Sequence, residues 1–169
     1  MSGKTHSPDR PTSWQVWLES HGPRFLLYAR QQTRSESDAQ DVLQDALTES
    51  WRKAGGTIPD NNLVIATIRR RAMDLGRSID RRARREQDFA GHDAIWLTVD
   101  YSAGDTGEHI ADAIRELPEA QREVLILRIW EDMSFPAIAR LTGVPTSTAN
   151  TRYRQALARL KECVTELQP

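Results

Sequence analysis

The sequence predicts an all-α fold: two small helical domains joined by an acidic linker, the second ending in a helix-turn-helix. Three observations carry this. Apolar residues recur at steps of three and four through most of the chain, while no alternating run is long enough for a useful strand. Gly and Pro fall between these periodic segments, at Gly55-Gly56, Pro59, Pro118 and Gly143, where helices are expected to stop or start. Residues 134–160 combine a short apolar-faced helix, a glycine break and a longer helix with a polar outer face.

The elements follow in order. Residues 1–12 are polar, contain two prolines and read as a disordered lead-in. Trp14, Trp17, Leu18, Phe25 and Leu26 predict a helical opening that breaks around His21-Gly22-Pro23. Ser35 and Asp38 form a capping pair before an amphipathic helix with Ala39, Val42, Leu43, Ala46, Leu47, Trp51 and Ala54 on one side. Gly55-Gly56 ends that helix, and Pro59-Asp60-Asn61-Asn62 starts the next. There Ile65, Ile68, Ala72, Leu75 and Ile79 are core positions, with Arg70, Asp74, Arg77, Arg81 and Arg85 roughly opposite. The first domain is placed at 13–87.

Residues 88–109 are glycine-containing and acidic, a linker with one short helical piece around Ala94–Val99. The second domain, 110–169, begins with Ile110, Ala113, Ile114 and Leu117 on one helix, stopped by Pro118. A helix over Glu119–Glu131 carries Val124, Leu127, Ile129 and Trp130. Ser134 then caps a helix with Phe135, Ile138, Ala139 and Leu141 inward, and Gly143 supplies the positive φ of the turn. The last helix starts near Pro145 or Ser147. Tyr153, Ala156, Leu157, Leu160 and Val164 form its apolar stripe, leaving Ser147, Thr148, Thr151, Arg152 and Gln155 outward, flanked by Asn150 and Arg154. Hydroxyl, amide and guanidinium groups of this kind read base edges and hold phosphates.

Charge placement sharpens the function. The formal net charge is −1, yet residues 69–85 hold Arg69, Arg70, Arg71, Arg77, Arg81, Arg82, Arg84 and Arg85 against only Asp74 and Asp80. Arg140, Arg152, Arg154, Arg159 and Lys161 follow with no acid among them, whereas the acids collect in the first amphipathic helix and the linker. Two separate surfaces facing a polyanion account for this segregation. Internal ion pairs, Arg70–Asp74 and Asp74–Arg77, are the competing use of the arginines. The outer face of the Asp38–Trp51 helix carries Asp38, Gln40, Asp41, Gln44, Asp45 and Thr48 and suits a protein partner. Its carboxylates have no histidine at ligand spacing, so no metal, cofactor or catalytic residue is expected. His6, His21, His92 and His109 are scattered, and Cys163 reads as a small apolar filler in a chain without disulfides. With no signal peptide or membrane-length apolar run, the expectation is a cytoplasmic protein without membrane insertion.

This order of features resembles a bacterial RNA polymerase sigma factor of the extracytoplasmic-function type. DAQDVLQDALTESW (Asp38–Trp51) resembles the part of sigma region 2 that docks on the clamp helices of the largest polymerase subunit. LVIATIRRRAMDLGR (Leu63–Arg77) resembles the segment that engages and helps open the −10 element. LPEAQREVLILRIWEDMSFPAIARLTGVPTSTANTRYRQALARL (Leu117–Leu160) resembles region 4, which reads the −35 element. The resemblance implies that Asp38, Asp41, Gln44, Asp45 and Thr48 bind polymerase core. It implies that Arg69, Arg70, Arg71, Arg77 and Arg81 hold DNA near the −10 element. Ser147, Thr148, Asn150, Thr151, Arg152, Arg154 and Gln155 would meet the −35 major groove, and an anti-sigma protein would be a further partner. The chain departs from the family pattern in its unbroken Arg69-Arg70-Arg71 and in Asn150 and Gln155, where cations are usual. The alternative is a stand-alone helix-turn-helix regulator that binds duplex DNA as a dimer, for which no spare apolar helix remains. An enzyme acting on nucleic acid through Asp41 and Asp45 is the third reading.

Overall fold

The computed structural model describes residues 13–86 and 104–166, and every regular element among them is a helix. The helices are α1 (Ser13–Gln32), α2 (Glu36–Lys53), α3 (Asn61–Glu86), α4 (Gly104–Glu116), α5 (Glu119–Ile129), α6 (Phe135–Thr142) and α7 (Thr146–Glu166). Helices α1, α2 and α3 pack on one another, as do α4 to α7, in agreement with an all-α chain of two helical blocks. The expected lead-in at 1–12 and the short helix around Ala94–Val99 lie outside the described residues, as do the side chains of Arg84, Arg85 and Val164.

Helix α1 runs unbroken through Pro23, where the sequence suggested an interruption. The missing proline N–H costs one backbone hydrogen bond, but ring contacts at i,i+4 bridge the site. Trp17, His21 and Phe25 stack in succession, with centroid separations of 5.3 Å and 6.1 Å. Just beyond, Phe25, Tyr28 and Ala29 are wholly buried, so burial holds the helix where local propensity alone breaks it.

Helix α2 starts as its capping pair predicts: the Asp38 N–H donates to Ser35 Oγ at 3.1 Å, with Ser35 in extended backbone. Gly55 and Gly56, both at positive φ, turn the chain, and Asp60 Oδ1 accepts from the Asn62 N–H at the start of α3. Val64, Ile65, Ile68 and Ala72 of α3 bury against Phe25, Tyr28, Ala39, Val42 and Ala46.

In the second block, α4 begins at Gly104, earlier than the expected Ile110. Its C-terminal end is held by a residue the sequence reading passed over. Buried Arg122 donates to the carbonyls of Ile114, Arg115 and Leu117 at 2.7–3.0 Å, satisfying groups that a helix end leaves open.

Ser134 Oγ accepts from the Ala137 N–H, and Gly143 ends α6 at φ 72°, so the helix-turn-helix has the expected punctuation. A Cβ at Gly143 meets nothing within 4 Å, which leaves backbone strain as the whole cost of a side chain there. Gly143→Val is expected to lower stability by about 1–3 kcal/mol, and Gly143→Asn by less, because asparagine tolerates left-handed backbone. Thermal unfolding of the two variants checks the order. On α7, Ala149 and Ala156 are buried, while Leu157 is exposed and does not belong to the inner stripe.

Candidate polymerase and nucleic-acid interfaces

On α3 the arginines are already engaged in ion pairs. Arg70 Nη2 donates to Glu49 Oε1 at 2.6 Å, and Arg71 Nε donates to Glu49 Oε2 at 2.9 Å. Arg70 and Arg77 also flank Asp74 at 3.7 Å and 3.6 Å, the two helical pairs weighed from sequence spacing. Glu49 is the hub that spacing did not show. Lys53 foremost, then Arg71 and Arg70, hold its carboxylate at a pKa of about 2, against the partial burial that acts in the opposite direction. Glu49 is half-buried but the guanidinium groups of Arg70 and Arg71 reach solvent, so a phosphate can replace the carboxylate as their partner. Arg70, Arg77 and Arg81 are exposed and Arg71 half-buried, so this face can still meet DNA. Arg69 differs: its Nε donates to Glu123 of α5 at 3.0 Å, in a partly buried pair.

On α2, Asp41, Gln44, Asp45 and Thr48 form one exposed face, and Asp38 is half-buried at its start. Thr48 Oγ1 donates to the Gln44 carbonyl at 2.9 Å, and Asp45 lies 3.7 Å from Arg71. Beside this face, Trp14, Leu47 and Trp51 join Gln44 and Thr48 around a cleft of about 330 Å³. Trp14 and Trp51 meet edge to face with centroids 4.6 Å apart. The sequence puts Trp14 in a helical opening and Trp51 on the apolar side of its helix. The structure places them at the rim of the acidic face, where an amphipathic partner can use both characters. Among the described residues, no group of three ligating side chains is placed to hold a metal.

On α7, Ser147, Asn150, Thr151 and Arg154 are exposed, and Thr148 and Arg152 are half-buried. The outward face is therefore centred on Ser147, Thr151 and Arg154, with Thr148 and Arg152 on its flank. Thr151 Oγ1 donates to the Ser147 carbonyl at 2.9 Å, which leaves its lone pairs outward. Gln155 is exposed, but its Oε1 accepts from Gln121 Nε2 of α5 at 3.1 Å, so its amide is steered by the neighbouring helix. Phe135 packs edge to face on Tyr153 at 5.5 Å and locks α6 to α7.

Residues 108–160 match the family described as Sigma-70, region 4. An RNA polymerase sigma-E factor of Streptomyces avermitilis is 30% identical over 151 residues, covering 88% of this chain and 83% of that protein. An ECF RNA polymerase sigma factor RpoE of Cereibacter sphaeroides is 32% identical over 130 residues, covering 75% of this chain and 72% of its own. Among solved structures, the sigma factor RpoE of Bartonella quintana, in complex with the anti-sigma factor NepR, superposes with a TM-score of 0.71 at 20% identity. That match covers 90% of this chain and 96% of the other, and it supports the fold.

Proposed function

This chain belongs to the extracytoplasmic-function sigma factors of RNA polymerase, and from that premise we propose how its surfaces divide the work. The protein is a sigma factor, a transcription initiation factor that acts with RNA polymerase on promoters. The outer face of α2, with Asp41, Gln44, Asp45 and Thr48, docks on the clamp helices of the largest polymerase subunit, and Asp38 extends it at the N-terminal end. The Trp14–Trp51 shelf supplies the apolar part of that contact. Arg69, Arg70, Arg71, Arg77 and Arg81 hold phosphates around the −10 element. Ser147, Thr151 and Arg154 enter the −35 major groove, with Thr148, Asn150, Arg152 and Gln155 at its edges.

The observation that carries this division is the outward face of α7, built on a capped α6 and the left-handed Gly143, in one chain with the acidic α2 face. A helix so presented puts its N-terminal side chains against base edges. The protein works without a chemical step of its own and in the cytoplasm, where its polymerase is. No described helix is long and apolar enough to cross a membrane. The Bartonella quintana sigma factor RpoE was captured with the anti-sigma factor NepR, and an anti-sigma partner is proposed here too.

The test is reconstitution. Purified core polymerase plus this chain is expected to initiate on members of a randomised promoter library, and core alone is not. Binding of palindromic duplex by the chain alone, as a dimer and with no effect on core, would support a stand-alone regulator instead. Within the holoenzyme, Arg154→Ala is expected to weaken promoter binding and, for a phosphate contact, to reduce the slope of log affinity against log salt by about 1. Fluorescence anisotropy across a salt series reads this. An unchanged affinity and slope would remove Arg154 from the interface.

A further inference from the structure

The outward face of α7 carries two polar side chains whose hydrogen-bonding sense is fixed from within the protein. Thr151 Oγ1 gives its proton to the Ser147 carbonyl at 2.9 Å, so only lone pairs remain to face outward. Gln155, one turn later, is exposed and has the opposite sense. Its Oε1 accepts from Gln121 Nε2 of α5 at 3.1 Å, which turns the carbonyl toward α5 and leaves the NH2 group as the free end. An unconstrained glutamine offers both groups and pairs bidentately with adenine. A glutamine held by its oxygen offers donors.

The sense of this relay is set at Gln121. Helix α5 follows the N-cap residue Pro118, so Gln121 is its third residue. A side chain there leans back toward the helix N-terminus, where a glutamine or glutamate ordinarily accepts from the N–H of the cap residue. Proline has no N–H to give. Gln121 Oε1 is buried without a hydrogen-bond partner among the described residues. The partial positive charge of the helix start still favours the oxygen on that side. Turned round, the amide would bury an NH2 group with two unpaired protons against the same charge. The oxygen therefore stays inside, and Nε2 reaches out to Gln155.

The consequence is specificity. In the major groove guanine and thymine present keto oxygens, O6 and O4, where adenine and cytosine present exocyclic amines, N6 and N4. We propose that Gln121 is a positioning residue for promoter recognition: it orients Gln155 so that α7 presents an NH2 group there and selects a keto base over an amino base. The proposal rests on α7 being the helix that enters the −35 groove. Gln121 itself touches no base. It acts through the amide of Gln155.

The experiment selects promoters from a library randomised in the upstream element, with holoenzyme formed from the full-length parent, Gln155→Ala, Gln121→Glu or Gln121→Lys. Gln155→Ala is expected to relax one base position, at which the parent favours guanine or thymine by about fivefold. Gln121→Glu puts a group that only accepts beside Gln155, which must then give it the NH2 and turn its own oxygen outward. At that position the preference is expected to reverse toward adenine or cytosine. Gln121→Lys only donates, so it should retain the keto preference. The two variants move overall affinity in opposite directions through charge, but that term is independent of sequence and leaves the choice of base untouched. Reversal in Gln121→Glu with retention in Gln121→Lys supports the relay. If Gln155→Ala relaxes a position whose preference both Gln121 variants keep, or shift alike, the relay is overturned and the −35 reading of α7 stands. If Gln155→Ala relaxes no position, Gln155 touches no base and the proposal falls. If the parent enriches no upstream element, the −35 reading falls and takes the proposal with it.

Discussion

Replacing Ile138 by alanine is expected to lower the unfolding free energy by about 2–5 kcal/mol and to remove dependence on the upstream promoter element. Ile138 is fully buried, in a core cluster that also contains Val124, Met133 and Ala149. Helix α6, the first helix of the helix-turn-helix, is only eight residues long and cannot be stable by itself. Its Ser134 cap and Gly143 stop fix its ends, but Ile138 and Ala139 are its only wholly inward anchors. Deleting three carbons at the centre of such a helix leaves a cavity that its short length cannot close. The orientation of α7 depends on α6, so the loss should appear first in promoter recognition. Chemical denaturation reads the stability, and holoenzyme footprinting reads the upstream contact. Core binding through α2 is expected to survive, since α2 packs chiefly on α1 and α3.

The second large effect concerns Glu49 and carries a pH signature. In the folded protein its pKa is about 2, against an ordinary value of 4.5, because Lys53, Arg71 and Arg70 surround it. A depressed carboxylate pKa contributes stability that is fully present above pH 4.5 and is lost as pH falls from 4.5 toward 2. At 1.36 kcal/mol per unit the shift sets a ceiling near 3 kcal/mol. Lys53 and Arg70 are exposed, and screening brings the expected contribution to about 1–2 kcal/mol. Glu49→Gln should therefore cost that amount at pH 7, and the gap to the parent should close as pH approaches 2. A gap that stays constant across this range would show that Glu49 acts through packing. The same variant removes the Glu49 charge beside Arg70 and Arg71, so it is also expected to bind non-specific DNA more tightly, with a steeper salt dependence.

Local rules made several elements legible before any coordinates. The Ser35 cap, the Gly55-Gly56 stop, the Ser134 cap and the Gly143 turn each depend on a residue and its near neighbours, so they can be read from a linear pattern. The ion pairs Arg70–Asp74 and Asp74–Arg77 are local in the same sense. What could not be read depends on distant residues. Pro23 stays helical because rings four apart stack across it and the next turn is buried. Glu49 becomes a hub only when α2 lies against α3, and Glu123 only when α5 meets α1 and α3. Trp14 and Trp51 have the composition of core residues, and only the packing shows that they rim an exposed cleft. Leu157 fits a helical stripe by spacing but falls where the neighbouring helices no longer reach. The candidate site was thus legible as a set of residue types on helix faces, whereas the engagement of its arginines in the free chain required the fold.

A two-ended grip on the promoter is proposed, with α3 at one element and α7 at another. Promoter selection from a doubly randomised library with holoenzyme tests it most directly, comparing the parent with Thr151→Ala and Arg71→Ala. Two enriched elements at fixed spacing are expected in the parent. Thr151→Ala should relax the upstream element alone, and Arg71→Ala should weaken use of the downstream element with the upstream consensus unchanged. A single enriched element, or both variants altering the same one, would contradict it.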